Sequence, residues 1–214
     1  MNWNDLEKHF SAARLGRYRA ACAGDEARAA RAYANNMLLA EAMMPVLNVL
    51  EIALKNGIHR RLSVLYGRAD YWEAWAGNAD FAWQSREVAT AKGKLQRRAE
   101  AVTPDKIIAE LAFGFWTSLF NVHLAPVLWK DLRLVFPRCP KPQRQRHTIS
   151  SALNQVRDLR NRIFHHEQLL WLTPTLIDLH AKGIEVVGWL DPQLVPWLQQ
   201  YDRLPATWAG VHPI

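Results

Sequence analysis

The sequence of 214 residues lacks the features that mark several classes of protein. It has only two cysteines, Cys22 and Cys139, which match no metal-ligand spacing and indicate a reducing cytoplasm. No run approaches the ~20 uninterrupted apolar residues of a membrane helix, and residues 1–10 lack the basic-then-apolar order of a secretion signal. P-loop, dinucleotide-binding and zinc motifs are missing as well. These absences predict a cytoplasmic protein with no membrane segment, no metal and no cofactor.

The alternating pattern of β-strands is also nearly absent. Half of the residues are hydrophobic, which excludes a disordered chain. Apolar residues recur at helical spacing through most of the sequence. The sequence therefore predicts one all-α domain over residues 1–214, a helical bundle with additional N- and C-terminal helices.

Proline, glycine and capping residues divide this domain into helices. Pro45 predicts a kink or a break, Gly114 a close helix approach or a break, and Gly183 a helix end. A loop rich in proline and charge falls at 137–142. The predicted helices are 4–22, 26–66, 81–101, one opened by Thr103-Pro104, 111–120, a segment to 136, 143–171, 173–182 and 191–201.

Two aromatic or imidazole features have competing interpretations. The cluster of Tyr71, Trp72 and Trp75 favours core packing, with stacking on RNA bases as the alternative. His123, next to the most apolar window, is predicted to be a buried histidine with its hydrogen bonds satisfied.

The positive charge is concentrated in two segments. The net charge is +7, and residues 138–162 alone carry seven basic side chains against one acid. Residues 86–98 carry five against one, so the rest of the chain is net negative. Concentrated positive charge favours binding to a polyanion; the alternative is a pair of solvated helix faces.

The second basic segment runs into the stretch around which we expect the chain to be organised, 153–171, LNQVRDLRNRIFHHEQLLW. On a helical wheel Arg160 lies inside the apolar arc, where arginine is rare unless paired or functional. A polar strip continues from Arg160 through Arg157 and Asn161 to His165, and His166 falls on the other side. The arc consists of Leu153, Val156, Leu159, Ile163 and Leu170.

Arginine and histidine on one helix edge suit RNA cleavage without a metal. The guanidinium fork binds phosphate oxygens and stabilises a charged phosphorane. Histidine transfers protons near neutral pH. The alternative is structural: a capped helix end, with His165 and His166 near the helix dipole and Arg160 paired with a carboxylate. Glu51 either pairs with Lys55 one turn on or crosses the bundle to orient Arg160 or a histidine.

The octet Arg160 to Glu167, RNRIFHHE, resembles the Abi-like (abortive infection) family of the HEPN superfamily, marked by arginine, a polar residue and a histidine after four to six positions. Both histidines satisfy that spacing. Three further blocks resemble the family in its order, and the resemblance covers about residues 9–200. The blocks are FSAARLGRYRAA, LNVLEIALKNGIHRRL and LAFGFWTSLF.

The resemblance implies a HEPN bundle that dimerises, with two Arg–His motifs lining a shared cleft. It also implies metal-independent endoribonuclease activity in phage defence or toxin–antitoxin growth arrest. Carried over, Arg160 would bind the scissile phosphate and His165 would transfer the proton, with His166 as substitute. Asn161 would orient the phosphate or the histidine. The product would be a 2′,3′-cyclic phosphate, and the partners RNA, a second copy and an antitoxin or other defence-system protein.

We assign RNA binding to the basic residues around the motif, namely Arg157, Arg162, Arg144, Arg146 and Lys141. A non-catalytic module that binds or senses RNA through the same residues is the alternative function. A purely structural dimerisation domain is the third interpretation.

Overall fold

The computed structural model describes residues 2–211, which form eleven α-helices, four short 3-10 helices and no β-strand. The prediction of an all-α fold is confirmed. The helices are α1 (Trp3–Phe10), α2 (Ala12–Ala21), α3 (Glu26–Tyr66), α4 (Ala82–Arg97), α5 (Pro104–Glu110), α6 (Phe113–Ser118), α7 (Ala125–Leu132), α8 (Arg146–Phe164), α9 (Leu176–Leu190), α10 (Leu194–Gln199) and α11 (Leu204–Val211).

The 41-residue helix α3 is the centre of the bundle. Its N-terminus is capped by Asp25, whose side chain accepts from the Arg28 N–H, and it ends at Gly67 in the left-handed conformation. The helix continues through Pro45, so the prediction of a break at this residue is wrong. Its buried face packs against α2, α7, α9 and α11.

By length and composition alone, α3 is apolar enough to cross a membrane, with a mean hydropathy of 1.7 over its best window. The sequence expectation rested on uninterrupted apolar runs and missed this. The central helix of a soluble bundle passes the same test, and 39% of that window is buried by other helices. The finding is therefore weak evidence for a membrane segment.

The N-terminal segment is a pair of helices, where one helix over 4–22 was expected. Ser11 separates α1 from α2 with φ at +67°, and its hydroxyl accepts from the Arg14 N–H at the start of α2. Because the interruption is a single residue, the apolar spacing continues across it. This small change turns α2 towards the end of α8.

Several other expectations about local structure are corrected or confirmed. Helix α5 begins as predicted, with Thr103 as its N-cap. The break near the apolar window lies at Leu111–Ala112, and Gly114 has open space where a Cβ would stand, so neither role foreseen for this glycine holds. His123 is exposed, since it lies on a surface 3-10 turn.

The aromatic cluster is core. Tyr71, Trp72 and Trp75 are each at most 3% exposed, with Tyr71 and Trp75 in ring contact at 5.4 Å. Their burial excludes base stacking and confirms the packing interpretation.

The C-terminal third differs most from expectation. Helix α8 runs from Arg146 to Phe164, shorter than the expected 143–171. Helix α9 starts from a Thr175 cap and passes through Gly183, where a helix end was predicted. The last predicted helix, 191–201, corresponds to the shorter α10, and α11 beyond it was not predicted.

Gly183 permits close approach of α9 to α3, since a Cβ there would lie 2.8 Å from Cγ1 of Val46. Valine is stiff in a helix and cannot move aside readily. We expect Gly183→Ala to lower the free energy of unfolding by about 1 kcal/mol, as overpacking of about 1–3 kcal/mol outweighs a helix-propensity gain of up to ~1 kcal/mol. Urea denaturation followed by circular dichroism measures it.

The matched control is Gly16→Ala in α2, where no atom lies within 4 Å of the added Cβ. It should stabilise by up to ~1 kcal/mol. The substitution Val46→Ala should lower the free energy of unfolding less in the Gly183→Ala background than in the wild type, because it also removes the clash with the new Cβ. Equal stabilisation by both glycine replacements would contradict the close approach.

Candidate functional site

The end of α8 is a sharp helix-terminating turn. The N–H of Glu167 donates to the Arg162 carbonyl at 2.8 Å, and the N–H of His166 donates to the Ile163 carbonyl at 3.0 Å. His166 itself has φ +55°, the left-handed conformation that glycine usually supplies at this position. Histidine is among the residues that tolerate it better than most. The turn therefore ends the helix within the Arg–His motif.

This turn removes the basis for choosing between the histidines on a helical wheel. His165 caps the helix and His166 follows it, so neither lies on the continuous strip that the spacing predicted. Both side chains are exposed, and neither imidazole makes a hydrogen bond within residues 2–211. Both are therefore available for a ligand.

Two other helices hold the turn in place. The buried side chain of Asn36 in α3 donates to the Glu167 carbonyl at 3.0 Å and accepts from the Leu169 N–H at 2.6 Å. From α2, Nη1 of Arg14 donates to the His166 carbonyl at 2.7 Å. The backbone around the histidines is thus fixed from both sides.

Two concavities flank the end of α8. The Arg160 groove, of about 280 Å³, is formed by α3 and α8; the histidine pocket, of about 610 Å³, is formed by α2 and the turn. The groove is lined by Met44, Leu47, Asn48, Glu51, Ile52, Lys55, Arg160 and Phe164. The pocket is lined by Ser11, Ala13, Arg14, Arg17, Tyr18, Arg162, His165, His166, Glu167 and Gln168.

Arg160 is held half-buried between a carboxylate and an aromatic ring. Its Nε lies 3.7 Å from Oε2 of Glu51, which makes an ion pair too long for a hydrogen bond, and this Nε has no other acceptor. The guanidinium carbon lies 4.2 Å from the centre of the Phe164 ring, a cation–π contact. Glu51 thus reaches across the bundle to Arg160, one of the two arrangements considered from the sequence.

The histidine pocket contains two arginines that sequence analysis did not assign to the site. Arg14 and Arg17 are three residues apart on one face of α2 and lie in the block FSAARLGRYRAA. That block was the only signal, and it said nothing of proximity to the histidines. Arg162, the third arginine, pairs with Glu167 at 3.2 Å.

Tyr18 forms an inner wall of the same pocket. Its ring contacts Tyr33 and Trp171, with centroids 5.3 and 5.9 Å away, and only 2% of the residue is exposed. Its hydroxyl has no hydrogen-bond partner within residues 2–211. Burial, reinforced by Tyr33, raises the pKa of Tyr18 to about 12, against the lowering effect of nearby guanidiniums.

The other residues assigned to RNA binding are less clustered than expected. Arg144 donates to the carbonyls of Pro137 and Cys139, and Arg146 donates to the Phe120 carbonyl, so both brace the chain before α8. Lys141 is exposed in the loop 137–142.

Near the motif itself, Arg157 pairs with Asp158 at 3.0 Å, and Asn161 is exposed and lines neither concavity. Within residues 2–211, no three His, Cys, Asp or Glu side chains are placed to hold a metal ion. No protein-family model, curated protein or solved structure matches this chain.

The geometry also contains the features of a purely structural helix end. His165 and His166 lie at the C-terminal end of α8, where the helix dipole favours positive charge, and Arg160 faces a carboxylate. A structural role for these contacts leaves both exposed imidazoles without a hydrogen-bond partner in the described chain and free to bind a ligand. The two interpretations therefore differ in chemistry, and experiments on RNA separate them.

The Asn36 contacts give a direct test of how the turn is held. Asn36→Leu would leave a buried N–H and a carbonyl without partners, and we expect it to lower the free energy of unfolding by about 2–4 kcal/mol. Amide exchange at Leu169 should accelerate beyond the change in global stability. The neighbouring Asn35→Leu is the control, because Asn35 makes no side-chain hydrogen bond within residues 2–211. Equal effects from the two variants would contradict the clamp.

Proposed function

We propose that this protein is a metal-independent endoribonuclease. The observation that carries the proposal is the convergence of two unengaged imidazoles with three guanidiniums in one open pocket of about 610 Å³. Proton-transfer groups beside fixed cations are what cleavage of a phosphodiester requires. The resemblance of RNRIFHHE to the HEPN motif supports the same chemistry.

The proposed reaction uses the RNA's own 2′-hydroxyl. A histidine removes the 2′-proton while the oxygen attacks the adjacent phosphorus, and the bond to the 5′-oxygen of the next nucleotide breaks as that oxygen is protonated. The products are a 2′,3′-cyclic phosphate and a free 5′-hydroxyl. His165 and His166 both line the pocket and are equal candidates for this proton transfer, since the helical-wheel preference for His165 no longer applies.

Arg160 has a separate place in the proposal. It would bind the scissile phosphate from the neighbouring groove, oriented by Glu51, while Asn161 lies exposed one residue further on. A half-buried guanidinium is a stronger ligand for a phosphate than a fully solvated one, because water screens it less.

A homodimer is part of the proposal, because the resemblance implies that two motifs share one cleft. The Arg160 groove is bordered by apolar side chains that are 37–48% exposed, namely Met44, Ile52 and Phe164. A patch of this kind beside a polar site is typical of protein interfaces. The second copy would cover it and bring its own motif to the cleft.

The resemblance also suggests the biological setting. Phage defence by abortive infection, or growth arrest in a toxin–antitoxin system, would place the protein in the cytoplasm. An antitoxin or another defence-system protein would then be its regulatory partner.

The second candidate is a non-catalytic RNA-binding or sensing module. The observation that favours it is the pairing of Arg160 with Glu51 and Phe164, which stabilises the fold without any substrate. This module would retain salt-dependent affinity for RNA. It would show no cleavage.

The deciding experiment compares the wild type with Arg160→Ala and with the double variant His165→Ala/His166→Ala on total cellular RNA in EDTA. We expect each variant to reduce cleavage by at least ~100-fold, the scale of losing charge stabilisation or proton transfer. Mapping of fragment ends should find cyclic phosphates in the wild-type digest.

His123→Ala is the matched control, because His123 is exposed on a 3-10 turn and lines neither concavity. It should cleave like the wild type. Loss of wild-type activity in EDTA with the fold intact would overturn the metal-independent mechanism. RNA binding without cleavage would favour the second candidate.

Sedimentation analysis tests the dimer. The wild type should have about twice the chain mass of 24.6 kDa, whereas Ile52→Glu should sediment as a monomer and lose cleavage, because a charge is costly in an apolar interface. Val64→Glu, also exposed on α3, should change neither property. A monomeric wild type with full activity would contradict the shared cleft.

A further inference from the structure

The histidine pocket is larger and more positive than a single scissile phosphate requires. Its volume of about 610 Å³ lies within the roughly 300–1,000 Å³ range of pockets that enclose whole small molecules. Three guanidiniums face one carboxylate, that of Glu167, so the lining carries a net +2 even with neutral imidazoles. The pocket therefore has room and charge for a second anionic group.

The surplus charge comes from α2. Arg17 is exposed and makes no side-chain hydrogen bond or ion pair within residues 2–211, and it lies in the pocket wall. Arg14 uses one nitrogen, Nη1, on the His166 carbonyl, which fixes the guanidinium beside the turn. Since a guanidinium has five N–H donors, most of those on Arg14 are still free to bind an anion.

Tyr18 contributes its ring to the pocket wall and no accessible polar atom. Its hydroxyl belongs to a 98% buried residue, a figure that follows from its 2% exposure, and has no partner in the described chain. Buried hydroxyls are nearly always hydrogen-bonded in folded proteins. The hydroxyl oxygen is itself buried, however, so it does not face the open pocket, and the guanidiniums are the groups there that favour an anion.

The lining selects phosphate over other ligands. Arginine forks match phosphate oxygens in a bidentate manner, whereas only Ala13 and Tyr18 contribute apolar side chains, too few to enclose a base or an acyl chain. The site therefore suits the sugar–phosphate backbone of a nucleic acid, which fixes register without reading sequence.

We infer that Arg14 and Arg17 bind a second backbone phosphate of the RNA, next to the phosphate on which the histidines act. The inference rests on the proposed function, since it places the RNA at the same pocket. Its consequence is that α2 sets which linkage reaches His165 and His166.

The test uses an RNA in which every 2′-hydroxyl is methylated, so that binding is measured without cleavage. Single linkages are replaced in turn by an uncharged methylphosphonate, and affinity is followed by fluorescence anisotropy. For the wild type, replacing one particular linkage beside the cleaved position should lower the affinity for the RNA about tenfold. The Arg17→Gln variant should bind the unmodified RNA about tenfold more weakly than the wild type does. Replacing that same linkage should then lower the affinity of the variant no further.

Arg17→Gln should also reduce the slope of log affinity against log salt by about one, the value for one lost phosphate contact. On cleavable RNA it should raise KM and shift the cleavage positions. Arg19→Gln is the matched control: it removes the same charge from the same helix, but Arg19 pairs with Glu26 and lies outside the pocket. Thermal unfolding checks that both variants fold.

The outcomes separate the inference from the proposed function. Cleavage by the wild type, with equal methylphosphonate penalties in wild type and Arg17→Gln, would overturn the second phosphate site and leave the ribonuclease standing. If the effect of Arg17→Gln depended on one linkage but the wild type cleaved no RNA, the second phosphate site would stand and the ribonuclease proposal would be overturned. Absence of RNA binding by the wild type would overturn both.

Discussion

The turn that ends α8 after Phe164 is the constraint on which the candidate site depends. Left-handed backbone at His166 redirects the chain, and hydrogen bonds from Asn36 and Arg14 keep it there. Had the helix continued, its histidines would project along its side and would not meet α2. Because groups distant in sequence fix the turn, the positions of the histidines depend on how α2, α3 and α8 pack together.

Helix α3 supports both halves of the site from one rigid element. Asn36 holds the turn and Glu51 faces Arg160, and at 1.5 Å per residue these positions lie roughly 22 Å apart along the helix. Arg160 and the histidines nevertheless lie close together in sequence and line different concavities on the two sides of the end of α8. In the proposed enzyme, the Arg160 and the histidines that act on one scissile phosphate would therefore come from different copies at the shared cleft.

The same contacts serve stability and the proposed chemistry together. The Glu51 carboxylate and the Phe164 ring hold Arg160 in one orientation, which lowers the entropy lost when a phosphate binds. The histidines, in contrast, are left exposed and without hydrogen bonds in the described chain. A preorganised cation beside exposed imidazoles serves the proposed catalysis and would also serve an RNA-binding helix end. The two functions differ in whether the bound RNA is cleaved.

The sequence by itself determined the helical class, the cap at Thr103 and the burial of Trp75, because these follow from local spacing and hydrophobicity. The tertiary structure alone decided where α8 ends, that α9 passes Gly183, and that Arg14 and Arg17 meet the histidines. The physical reason is that helical periodicity reports which residues share a helix face and carries no information about long-range contacts. Hydrogen bonds from Asn36 across the fold stabilise a turn that local propensity does not specify.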